Sequence, residues 1–213
     1  MKNKKKVAVV TGGAGFIGSH MVDLLLKKNF YVNVIDDLSG GTISNLKHHL
    51  KNKNFNFEKK DLCKLDVNHK FFLGCDYVFH FAGKGDIVPS IEKPIKYLDV
   101  NIMGTARVLE AAKKAGVKKL VYSASSSCYG MAKTPTSEND AINPLYPYAM
   151  SKYLGEKLCF HWFKLYKLPV NSIRIFNAYG PRVKTTGVYG AVFGVFFKQK
   201  LENKAFTIVG NGN

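Results

Sequence analysis

Residues 6–20 read KVAVVTGGAGFIGSH, and this stretch decides the fold. KVAVV (6–10) is a short, mostly β-branched apolar run, the pattern of a strand buried on both faces. It breaks at TGG, and residues 15–28 then read as a helix. Gly12, Gly15 and Gly18 form GxxGxxG across the junction. Glycines permit a tight turn and let backbone N–H groups approach an anion at a helix N-terminus, where the helix dipole favours negative charge. A strand before the glycines and a helix after them is the context that a dinucleotide phosphate loop requires. Gly12, Gly15, Phe16, Ile17 and Gly18 are therefore candidate cofactor-binding residues.

Working outward, YVNVID (31–36) is a second strand, and it ends in Asp36, eighteen residues after Gly18. A carboxylate there accepts hydrogen bonds from a ribose diol and repels a 2′-phosphate, which favours NAD over NADP. Asp37 beside it reads as a solvated neighbour. A polar helix is expected near 43–51, a weaker strand at 55–61 and a stronger one at 76–82. Residues 91–115 form a long helical stretch closed by Gly116, followed by a strand at 118–125. A helix runs from 148 to about 167 and ends before Pro169, with a last strand at 169–176. Strands alternating with helices imply right-handed βαβ units and a doubly wound, Rossmann-type parallel sheet. Residues 1–180 are expected to form this domain. From 181 to 213 the chain is richer in glycine and turn residues. It leads to a short helix and the strand-like FTIVG, read as the start of a smaller, truncated substrate lobe.

The formal net charge is +17, with 29 Lys and only 3 Arg. Arginine is the preferred residue for bidentate phosphate and base recognition. Lysines scattered from end to end point to a compositional bias rather than a nucleic-acid or anionic-membrane partner. No stretch approaches a membrane span. The apolar run after Lys2–Lys6 is too short for a signal-peptide core. Cys63, Cys75, Cys128 and Cys159 show no CxxC spacing, as in a reduced, cytoplasmic protein. Neither they nor the six histidines form a metal-ligand pattern, and lone histidines such as His80 and His161 read as structural.

Residues 143–157 read NPLYPYAMSKYLGEK. Pro147 suits the first turn of a helix, and Tyr148 and Lys152, four residues apart, share one face. With these residues in hand, the chain resembles the extended short-chain dehydrogenase/reductase family, in particular its NAD-dependent nucleotide-sugar epimerases of the UDP-glucose 4-epimerase type. The resemblance rests on TGGAGFIGSH (11–20), VIDDLSGG (34–41), KKDL (59–62), HFAG (80–83), PSIEKPIKYLDVNIMGT (89–105), YSASSSCYG (122–130), YPYAMSK (146–152) and RIFNAYGPR (174–182), in that order. It implies that Asp61 and Leu62 flank the adenine. Phe81, Ala82 and Gly83 would line the cofactor, Asn101 would lie near it, and Tyr148 and Lys152 would also contact it. Ser125, Tyr148 and Lys152 would be the catalytic set, with Ser125, Tyr148 and Asn177 touching the sugar nucleotide, most simply a UDP-sugar.

A sugar carbinol loses a hydride only if its hydroxyl proton leaves too. Tyrosine is a poor base at neutral pH, with an ordinary pKa of about 10. Lowering it by about three units requires roughly 4 kcal/mol in favour of phenolate. One positive charge at about 4 Å supplies roughly that at an effective dielectric near 20. Lys152 is expected to be that charge, with the cationic nicotinamide adding another.

Dehydratases of the family carry an Asp-Glu pair directly after the catalytic hydroxyl, and decarboxylases usually a nearby Glu. Here those positions hold Ser126 and Ser127, which favours redox epimerisation of UDP-glucose, UDP-galactose or their N-acetyl forms. A tyrosine often precedes the Phe-Asn pair in 4-epimerases, whereas here Ile175 stands before Phe176. The alternatives are another nucleotide-sugar reaction of the family (decarboxylation, dehydration or reduction) and a non-catalytic nucleotide sensor. The helix from 148 is apolar around more than one stripe, which a surface helix does not need. A homodimer pairing this helix and 91–115 with their copies is expected.

Overall fold

A computed structural model describes residues 5–183, 185, 192–208 and 210. Six strands form one parallel sheet: β1 (Val7–Thr11), β2 (Tyr31–Asp36), β3 (Phe55–Lys59), β4 (Tyr77–His80), β5 (Lys119–Ser125) and β6 (Val170–Ile175). Their order is β3-β2-β1-β4-β5-β6. β1 therefore pairs with both β2 and β4. The chain winds one way from β1 to β3 and the other way from β4 to β6. A crevice opens where the winding reverses, beyond the C-terminal ends of β1 and β4.

Side-chain alternation assigns the two faces. Ala8, Val10, Val32 and Val34 pack with Val22 and Leu25 of helix α1 (Phe16–Lys27) and with Leu46. Val9, Ile35, Val78, Leu120 and Tyr122 face the other way. They pack with Val108, Leu109 and Ala112 of the fourth helix and Cys159 of the fifth. Apolar residues on both faces of the strands give the continuous runs by which the sheet is recognised.

The long helix expected over 91–115 is four pieces. α2 (Ile87–Glu92) and α3 (Pro94–Leu98) lead into a π-helical stretch, Asp99–Gly104, and then α4 (Thr105–Ala115). Proline has no N–H for a helical hydrogen bond, so α3 restarts with Pro94 in its first turn. Gly116 ends α4 in the left-handed conformation, as its position suggests. The polar helix near 43–51 is a 3₁₀ turn, Ile43–His49, capped by the Thr42 hydroxyl, which accepts from the Ser44 N–H. Helix α5 spans Pro147–Tyr166.

The chain divides into two compact units, Met1–Phe176 and Asn177–Asn213. In the second, α6 spans Val192–Leu201. Gln199 exchanges hydrogen bonds with the Thr207 side chain and backbone, and Phe196 stacks on Phe206 at 4.9 Å. Phe206 to Ile208 of the strand-like FTIVG are not in a strand, and Val209 lies outside the described residues. Among the described residues no helix is long and apolar enough to cross a membrane.

Candidate functional site

The glycine loop is built as its spacing predicts. Gly12 takes a left-handed φ of 71°, and a Cβ there would lie 2.5 Å from the Ala82 nitrogen. A Cβ on Gly18 would run into the Gly12 carbonyl. These two glycines let the loop close on itself and on the end of β4. Gly15 precedes α1 and has no side chain to cap it. The first turn of a helix leaves N–H groups without intrahelical partners. At Phe16 and Ile17 the helix thus offers the donors and dipole that suit a pyrophosphate.

Asp36 sits at the end of β2 with both carboxylate oxygens engaged. One accepts the Ala14 N–H at 2.9 Å and the other the Leu38 N–H at 2.8 Å. Burial pushes its carboxyl above the usual carboxylate range, against the pull of these two donors. The residue read as a ribose acceptor is thus also the clamp on the phosphate loop. Asp37 is exposed, as expected, and also accepts the backbone and the hydroxyl hydrogen bonds of Ser39. Asp61 caps a short turn by accepting from the Cys63 N–H, and Leu62 is buried in the core. The Phe81 ring packs into the α1-side core, so its side chain does not face the crevice. Ala82 packs against the opposite core.

Ser125 is the last residue of β5, and Tyr148 and Lys152 occupy the first turns of α5. The structure brings Ser125 and Tyr148 together, with the Tyr148 hydroxyl donating to Ser125 Oγ at 3.2 Å. Ser125 Oγ also accepts from the Ser127 N–H and donates to Ser127 Oγ at 3.0 Å. Lys152 is 6% exposed, and its ammonium lies 4.6 Å from the centre of the Tyr122 ring. A Cβ on Gly83 would lie 3.5 Å from Lys152 Nζ, so the loop after β4 passes directly over the lysine.

The electrostatics correct one expectation. Burial pushes the Tyr148 phenol above its ordinary value, with the hydrogen bond to Ser125 pulling the other way. Burial also pulls the Lys152 ammonium down to about 8. The cause is common to both: water is excluded from the crevice floor, and losing it disfavours either charge. Lys152 alone does not make Tyr148 a base.

Asn101, expected near the cofactor, and His80, expected to be structural, belong to a network of supporting residues. Asn101 is in the π-helical stretch and 1% exposed. It accepts from the Lys84 N–H and donates to the Lys84 carbonyl and to Ser151 Oγ. Ser151 donates in turn to the Tyr148 carbonyl. Thr105 donates to the Asn101 carbonyl and so must accept from His80 Nε2, 2.9 Å away. His80 Nδ1 then accepts from Thr11 at 2.6 Å, which fixes the neutral Nε2–H tautomer. Burial, helped by Lys152, holds this imidazole down at about 3. Glu156, one turn beyond Lys152, takes Arg174 Nε on both carboxylate oxygens at 3.2 and 3.0 Å. Arg174 also donates to the Tyr129 hydroxyl at 2.6 Å, which ties β6 to the turn after Ser125. Ser151 and Arg174 stand inside the motifs and Glu156 just beyond one, but only their contacts reveal what they do. Asn177 is the first residue of the second unit, and the other candidate residues belong to the first.

The glycine loop held by Asp36, with Ser125 at the end of β5 beside Tyr148 of α5, is the arrangement to compare with known protein families. Residues 8–213 match the family described as NAD dependent epimerase/dehydratase, and the chain belongs to it. It is 37% identical over 208 residues to a UDP-glucose 4-epimerase of Mycolicibacterium smegmatis, covering 96% of this chain and 66% of the relative. It is 35% identical to a UDP-N-acetyl-alpha-D-glucosaminuronate decarboxylase of Bacillus cytotoxicus, covering 98% and 65%. Among solved structures, the UDP-N-acetylglucosamine 4-epimerase of Methanobrevibacter ruminantium, in complex with UDP-N-acetylmuramic acid, matches with a TM-score of 0.93. The identity is 35%, over 98% of this chain and 67% of that one. The UDP-glucuronic acid 4-epimerase of Bacillus cereus, in complex with UDP-glucuronic acid and NAD, matches at 0.88 with 35% identity, over 96% and 66%. The chain thus spans 65–66% of the length of the first curated relatives it matches.

The buried lysine generates a stability prediction. Its folded pKa of about 8 lies below the unfolded value of about 10.4, so the unfolded state holds the proton more tightly. The resulting cost to the fold is complete below pH 8, shrinks as pH rises toward 10.4 and is then gone. Lys152→Met should therefore be more stable than wild type at pH 7, by up to about 3 kcal/mol. Denaturant titrations of cofactor-free protein should show that advantage fading between pH 8 and 10.

Proposed function

We propose that this protein is an NAD-dependent nucleotide-sugar 4-epimerase, acting most simply on UDP-glucose and UDP-galactose or their N-acetyl forms. The observation that carries the reading is the Tyr148–Ser125 hydrogen bond at the strand ends beside the glycine loop. Gly12, Gly15, Phe16, Ile17 and Gly18 would hold the pyrophosphate, and Asp36 the adenosine ribose. Asp61 and Leu62 would flank the adenine, while Phe81 and Ala82, through their backbone, and Gly83 would border the ring system. Asn101 acts by fixing the Gly83–Lys84 loop over Lys152.

Bound NAD supplies the acceptor, and later the donor, of the C4 hydride. Tyr148 Oη takes the proton of the C4 hydroxyl and gives it back after the sugar has turned over. Ser125 Oγ, anchored by the Ser127 N–H, hydrogen-bonds the reacting oxygen and relays its proton. Lys152 biases Tyr148 toward phenolate once the cofactor's positive ring adds to its field. Asn177 is proposed to contact the sugar nucleotide. Dehydration and decarboxylation are disfavoured because Ser126 and Ser127 stand where those enzymes carry acids. Tyr148→Phe should keep the fold and the NAD content while turnover of UDP-glucose falls by orders of magnitude. NMR of the sugar products measures it, and undiminished turnover would remove Tyr148 from the chemistry.

Exposed apolar side chains support a homodimer. On α5, Leu154, Phe160, Phe163 and Leu165 are exposed, as are Ile91, Ile95 and Met103 on the segments leading into α4. A helix sunk within one monomer would not leave these side chains in water. Pairing α5 and the 91–115 segment with their copies would cover them. Sedimentation equilibrium should give twice the chain mass, and Phe163→Glu should shift it toward the monomer; a monomeric wild type would contradict the pairing.

A further inference from the structure

Asp23 lies on α1, and His48 and His49 close the 3₁₀ turn Ile43–His49. Consecutive residues of such a turn point about 120° apart. Here the two imidazoles instead converge, with ring centroids 3.9 Å apart. His48 Nε2 lies 2.9 Å and His49 Nε2 2.6 Å from the same Asp23 carboxylate oxygen. All three donor atoms fall within 4.8 Å of one another. Asp23 and His48 are 31% and 50% exposed at the side chain and His49 14%, so the cluster is open to solvent on one side and held on the other.

Two imidazole nitrogens and one carboxylate oxygen suit zinc and its transition-series neighbours, and suit magnesium or calcium poorly. With bonds of about 2.0–2.2 Å, the ligand atoms of a tetrahedral ion stand about 3.3 Å apart. The two histidine–Asp23 gaps, 2.9 and 2.6 Å, are smaller by less than about 1 Å, so small side-chain rotations would admit an ion in place of the shared hydrogen bonds. We propose that Asp23, His48 and His49 form a binding site for a divalent ion of the zinc class, with water completing the coordination. The separation of 25 positions between Asp23 and His48 hides this grouping from any spacing rule.

The site has a structural consequence for the phosphate loop. The turn that ends in His48 and His49 follows Thr42, whose N–H donates to the Ala14 carbonyl at 3.0 Å. Within the turn, Asn45 donates to the same carbonyl at 2.9 Å. Ala14 lies in the glycine loop that leads into α1, the helix that carries Asp23. An ion held by these three side chains would therefore pin together two elements that fix one loop residue.

The test uses untagged, metal-stripped full chain. Zinc sulfate is titrated against a chromogenic chelator, and cobalt chloride is followed by visible absorption. The expected result is one zinc per chain above background, with a cobalt band, and a zinc-dependent rise in melting temperature without NAD. His48→Ala, His49→Ala and Asp23→Ala should each lose both the binding and the rise. Asp23→Asn keeps the side-chain shape and drops the charge, and it should bind zinc more weakly than wild type. Zinc binding that is the same in wild type and all four variants would overturn the site, as would a wild type that binds none. Neither result bears on the epimerase reading, since no step of the readout uses the nucleotide sugar.

Discussion

Everything at the crevice follows from burying a phenol and an ammonium on one helix face without water to support either charge. Desolvation raises Tyr148 and lowers Lys152 together. A pair in that state is poised rather than active. In the proposed reaction, proton transfer to Tyr148 would need one more favourable charge, and the cationic ring of an oxidised nicotinamide is of the right sign. The arrangement would keep the base silent until the hydride acceptor is in place. Its cost is carried by the fold, since a buried lysine with a depressed pKa opposes folding at neutral pH.

The surrounding polar groups exist to hold that pair. A continuous run of hydrogen bonds passes from Thr11 at the end of β1 through His80 and Thr105 to Asn101, then through Ser151 to the backbone of Tyr148. Each group is satisfied, which is what allows so much polarity inside a core. On the far side, Glu156 and Arg174 fasten α5 to β6 and to the turn that carries Ser127. The glycine loop is held in the same spirit, with Asp36 taking the Ala14 N–H and the turn after Thr42 taking its carbonyl.

Much of this was legible in the sequence, because its signals are local. Apolar runs mark the central strands and alternation marks β3 and β6 more weakly, glycine spacing marks the loop, and Tyr148 and Lys152 stand one helical turn apart. What could not be read depends on tertiary placement. The interruption at Asp99–Gly104 looks helical in composition, yet it is what places Asn101 against the Gly83–Lys84 loop. Asp36 reads as a ligand acceptor, but its first partners are backbone N–H groups. The sign of the Tyr148 shift depends on how dry the crevice floor is, and spacing says nothing about dryness. Asp23 and the two histidines meet only because α1 and the turn after β2 cover the same face of the sheet.

The most direct test is to titrate Tyr148 itself, by NMR of tyrosine-labelled protein with Tyr148→Phe as the assignment control, with and without NAD. The account predicts a phenol that titrates above about 10 in the free protein and moves clearly downward when NAD binds. A phenolate already present near neutral pH without cofactor, or a titration that NAD leaves unmoved, would contradict it.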